Sequence, residues 1–134
     1  MNKTQAPGAI TPERAALTNE QMREDMYLRM EEIFLLCAVI TRRKLAHAFF
    51  DWAAHVEMLS SRIKPINANY VSTDEVTPSI ADLSVILRLP KIESAEELED
   101  RYQASMETMN TFISYLDLLI AKNKPVLHNQ EQAA

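Results

Sequence analysis

Three side chains stand at steps of four, His47, Asp51 and His55, and two imidazoles with a carboxylate are a donor set that zinc or another divalent ion accepts. On a helix they would share one face. The same spacing also describes a solvated stripe in which Asp51 pairs with a histidine one turn away. No second cluster of His or Glu completes a two-metal bundle site, and the expectation is no bound metal and no cofactor. Just before this stripe, Thr41-Arg42-Arg43-Lys44 offers cations for an anion or a partner, or marks the point where an apolar helix emerges into water. No hydroxyl or thiol has a histidine and an acid at readable spacing, so no nucleophile is assigned. No catalytic residue is expected, and the chain reads as a non-enzyme.

These residues need a scaffold, and the apolar pattern predicts an all-α one. The chain has one Gly and seven Met among 134 residues, whereas turns and strand ends usually recruit glycine. Thr18 or Asn19 is a suitable cap, and neither Pro nor Gly follows until Pro65. One helix of about 44 residues, roughly 66 Å at 1.5 Å per residue, is therefore expected. Leu45, Phe49, Trp52, Val56, Leu59 and Ile63 recur at heptad-like steps, and Met22, Met26, Met30, Ile33, Cys37 and Ile40 form a second stripe. Thr77-Pro78 starts a short second helix, Ser79 to about Leu89, which Pro90 ends. Ser94 and Glu97 form a capping box that opens a long third helix running to about Asn123. Helices two and three would then line the first in the antiparallel direction. Residues 1–17 and 124–134 read as flexible tails around a single helical domain, 18–123.

Residues 33–40, Ile-Phe-Leu-Leu-Cys-Ala-Val-Ile, are apolar without a break, and such a helix must be covered on more than one side. Three helices supply one neighbour. The expectation is a homodimer that completes a helical bundle through Met26, Met30, Ile33, Phe34, Cys37 and Ile40. Arg42, Arg43 and Lys44, with Phe50 on a side away from the main apolar face, are the expected partner-binding residues. The seven methionines suit either a core or a pliable docking surface.

The arrangement of one long, one short and one long helix, with Leu35-Leu36 before Arg42-Arg43-Lys44-Leu45-Ala46, is similar to the all-helical chorismate mutases. That resemblance implies an intertwined dimer in which Arg42 belongs to an active site for a dianionic substrate. It spans about ten residues. Ala53 stands where the family's lysine is expected, Asp25 and Arg23 do not match its arginine near the helix start, and Pro65 interrupts the stretch that should hold a further Asp, Arg and Glu.

Composition narrows the remaining classes. The net charge is −5. Arg42, Arg43, Lys44, Arg62 and Lys64 against Asp51 and Glu57 make residues 41–64 a basic waist of +3, leaving −8 elsewhere, and direct nucleic-acid reading is not expected. A helix-turn-helix reading of Ser79–Leu89, Lys91-Ile92-Glu93 and the third helix puts Glu96, Glu97, Glu99 and Asp100 where phosphate would lie. The single cysteine excludes an intrachain disulfide. No run of 18 apolar residues and no secretory leader is readable, so a cytoplasmic protein without a membrane span is expected. The functional expectation is a homodimeric adaptor, chaperone-like or regulatory protein, with a chorismate-mutase-type enzyme using Arg42 as the alternative.

Overall fold

A computed structural model describes residues 17–71, 77–89 and 94–128. The chain is not all-α. It runs α1 (Asn19–Arg42), β1 (His47–Ala53), β2 (Met58–Lys64), β3 (Ala81–Ile86), α2 (Ala95–Lys122). The three strands form one antiparallel sheet in the order β1-β2-β3. Both helices pack against each other on one face of that sheet, α1 over β1 and α2 over β3.

The first helix starts as its sequence dictates. Thr18 accepts from the Gln21 backbone while the Gln21 side chain accepts from the Thr18 backbone, a complete capping box. It ends twenty residues earlier than the absence of Pro and Gly predicts, because Lys44 takes the left-handed conformation (φ 58°). The Lys44 N–H donates to Thr41 O and the Leu45 N–H to Ile40 O, each at 3.0 Å. That pair of bonds is a Schellman stop, in which glycine is usual.

Beyond this stop the side chains alternate with period two. Ala48, Phe50 and Trp52 of β1 stand opposite Ile63, Ser61 and Leu59 of β2. The last three stand in turn opposite Ala81, Leu83 and Val85 of β3. These nine face the helices, while Phe49, Asp51, Ser60, Arg62, Asp82 and Ser84 face outward. The β1–β2 turn needs another left-handed residue and uses Glu57 (φ 53°). The expected short helix over 79–89 is strand β3, since Asp82, Ser84 and Ile86 alternate with buried Leu83, Val85 and Leu87.

The last helix is capped by Ser94 and Glu97 and stops at Asn123 in the left-handed conformation, as the sequence indicates. It runs parallel to α1 rather than antiparallel. The Tyr102 hydroxyl donates to Asp25 at 2.7 Å and Arg29 donates to Asn110 at 2.8 Å, so contacts advance along both helices together. Three intervening strands reverse the chain an even number of times and require this. Val126 closes the fold, donating to Leu45 O at 2.7 Å and accepting from Ile66 N at 2.8 Å.

Candidate functional site

The residues singled out from sequence are dispersed by this fold. Met26, Ile33, Cys37 and Ile40 lie in the chain's own core, with Met30 half-buried against it. The second cover that residues 33–40 demand is the sheet. Phe34 alone of that set is largely open, 52 % exposed, and its ring meets Phe50 edge to face at 5.2 Å. Arg42, Arg43 and Lys44 are exposed at the end of α1, and Phe50 is half-buried on the helix-facing side of β1. His47 and Asp51 share the outer face of a strand, about 13 Å apart along the chain, and His55 sits in the following turn. Among the described residues no group of three or more His, Cys, Asp or Glu is arranged to hold a metal ion. The His47 Nδ1 instead lies 2.7 Å from the Tyr70 hydroxyl. The all-helical scaffold implied by the resemblance to chorismate mutases is absent, and with it the bundle that would have surrounded Arg42.

The densest polar cluster forms around Glu57. Its Oε1 accepts from the Tyr27 hydroxyl at 2.9 Å and from Arg23 Nη2 at 3.1 Å. Arg88 approaches Oε2 at 3.9 Å and donates to His55 O at 2.7 Å. Burial alone would raise the Glu57 carboxyl, but the bonds from Tyr27 and Arg23 and the two guanidinium charges hold it below the ordinary range. A carboxylate so neutralised is a poor general base. Its evident work is to tie the strained β1–β2 turn to the start of α1 and the end of β3.

On the outer face of the sheet, Arg62 stacks on Phe49 at 5.0 Å and Lys64 approaches the Tyr70 ring at 5.6 Å. Phe49 and Tyr70 meet at 6.0 Å. These contacts, with Lys64 Nζ donating to Thr77 O at 2.9 Å, hold the segment after β2 against the sheet.

A concavity follows the edge of β3 that has no strand partner among the described residues. At one end, about 450 Å³ is bounded by Ala81, Asp82, Glu107, Thr111 and Tyr115. At the other, about 520 Å³ is bounded by Ser84, Ile86, Arg88, Arg101, Ala104 and Ser105. Thr108 lines both, so the two make one trough between strand and helix. Its polarity follows from ladder parity. Leu87 N donates to Glu57 O at 2.8 Å, in the same register as Leu59 with Val85. Odd-numbered residues of β3 therefore bond to β2, and Asp82, Ser84 and Ile86 direct their N–H and C=O groups into the trough. Small α2 residues, Ala104, Ser105, Thr108 and Thr111, leave room for a backbone beside that edge. Sequence periodicity assigned residues 79–89 to a helix and so concealed the edge. The alternation of Asp82, Ser84 and Ile86 with apolar neighbours was the available signal.

Among the described residues no helix is long and apolar enough to cross a membrane. Compared with models of protein families, with curated proteins and with solved structures, the chain matches none.

Proposed function

We propose that this chain is a non-enzymatic protein-binding module that takes an extended segment of its partner into the trough between β3 and α2. The observation that carries the reading is the coincidence of a strand edge unpaired among the described residues with a helix wall of small side chains, the arrangement in which a peptide adds as a further strand. Six residues of β3 offer about 20 Å of edge. At the Ala81 end Asp82 with Glu107 suits a basic residue, while at the Ile86 end Arg88 is already engaged by Glu57 and His55. Antiparallel addition, the more stable pairing, places the basic residue at the C-terminal end of the bound segment. Side chains directed toward α2 must be small or β-branched. Titrating a labelled peptide of this pattern against the protein and against Ser84→Pro tests the reading.

A further inference from the structure

Because α1 and α2 run parallel, the fold sorts the charges of a net-acidic chain to opposite ends. Both helix starts are acidic, with Glu20, Glu24 and Asp25 on α1 and Glu96, Glu97 and Glu99 on α2. Arg42, Arg43 and Lys44 stand at the end of α1, Lys122 and Lys124 at the end of α2, and all five are exposed. The backbone ties these ends together: Val126 N–H donates to Leu45 O at 2.7 Å, and Ile66 N–H, just past Lys64, donates to Val126 O at 2.8 Å. Residues 41–50, 63–71 and 118–128, which build this end, contain no carboxylate. Asp74 and Glu75 lie outside the described residues and are too few to reverse the sign. Among the described residues none of the five exposed cations is in an ion pair. A helix end favours a cation in its last turn, which accounts for Arg42 and Lys122 but not for Arg43, Lys44 and Lys124. Apolar side chains stand out among them. Leu127, between Val126 on Leu45 and His128 on Asn67, is 65 % exposed, Val71 is 90 % exposed and Tyr70 is exposed beside Lys64.

We infer that this basic end docks on the surface of an anionic lipid bilayer, with its arginines and lysines among the headgroups and Leu127, Val71 and Tyr70 entering the interface. Cations alone suit any polyanion. The exposed aliphatic side chains decide between them, because Leu127 and Val71 gain by leaving water for the acyl boundary and have nothing to stack on a base. The one exposed ring, Tyr70, is already engaged by His47 and Lys64. Clustered Lys and Arg supply the electrostatic part of such binding and the apolar side chains the rest. The net charge of −5 does not oppose it. The 24 residues of α1 hold the acidic end about 36 Å away, several times the Debye length of about 8 Å at physiological salt. This contact is separate from peptide docking at β3 and does not rest on it.

Co-sedimentation of the full chain with vesicles of phosphatidylcholine and phosphatidylserine, against vesicles of phosphatidylcholine alone, tests the inference, with far-UV circular dichroism as the check on folding. Wild type should partition onto the anionic vesicles only and be released as salt rises. Arg43→Glu combined with Lys124→Glu changes two exposed side chains and should weaken partitioning about tenfold or more. Leu127→Ser leaves the charge unaltered and should weaken it as well, which a purely ionic contact would not show. Failure of folded wild type to bind the anionic vesicles overturns the inference, as does equal partitioning of wild type and the folded charge-reversed variant. Binding to a single-stranded oligothymidylate with none to the vesicles would assign this end to nucleic acid and overturn it too.

Discussion

The Leu45 N–H donates to the carbonyl of Ile40 at 3.0 Å, and both side chains lie in the core. This one bond ends α1 and turns the chain into the sheet. Between the two residues Lys44 holds φ at 58°, a region that costs a residue with Cβ roughly 1 kcal/mol relative to glycine. Lys44→Gly should therefore raise stability by about 0.5–1 kcal/mol, and the β-branched Lys44→Val should lower it. Urea unfolding at neutral pH measures both.

The Glu57 carboxyl is held below its ordinary value, 4.5, so the stability it contributes is present above that value and is lost as pH falls through the lowered native value. Wild type and Glu57→Gln should differ most near neutrality and converge in acid. Unfolding free energies from pH 2.5 to 7 test this, and Tyr27→Phe, which removes one of the bonds, should flatten the wild-type slope.

The Tyr102 phenol is pushed up to about 12, first by burial and then by its bond to Asp25. Its contribution is complete below the ordinary value near 10 and is lost as pH rises through the native value. Tyr102→Phe should cost about 1 kcal/mol at pH 7, with the difference from wild type vanishing above pH 12. Ultraviolet titration of the native protein should show one phenol fewer ionising last in the variant.

Cys37 is 4 % exposed, its sulfur 3.6 Å from Ser61 Oγ, and burial pushes its thiol up. An aromatic disulfide reagent should react with the native protein only at the rate of unfolding, and at once in denaturant.

Helix ends that use standard capping chemistry were legible from sequence alone: Thr18 and Ser94 open helices, and Asn123 closes one. The strands were not, for a physical reason. Lys44 and Glu57 occupy left-handed positions where glycine is the usual marker, so a stop and a hairpin turn carried no signal. Leu59 and Ile63 also satisfy a heptad and a two-residue alternation equally well, and Ala48, Phe50 and Trp52 were needed to break the tie. The apolar run 33–40 points to a second subunit by its sequence, whereas Ile33, Cys37 and Ile40 are buried in the chain's own core and Phe34 and Leu35 are exposed. The trough was hidden with β3, because an edge exists only once its strand does.

Peptide docking at β3 is tested most directly by fluorescence anisotropy with one labelled probe, acetyl-Asp-Val-Thr-Val-Thr-Val-Lys-amide, against the full chain. Saturable micromolar binding is expected, weakened about tenfold or more, 1.4 kcal/mol, by Ser84→Pro, which removes an N–H aimed into the trough at a tolerant edge position. Ala48→Pro, on the other edge, should leave binding unchanged, and a probe with Asp and Lys exchanged should bind more weakly. Absence of saturable binding, or equal affinity for wild type and folded Ser84→Pro, would contradict the account.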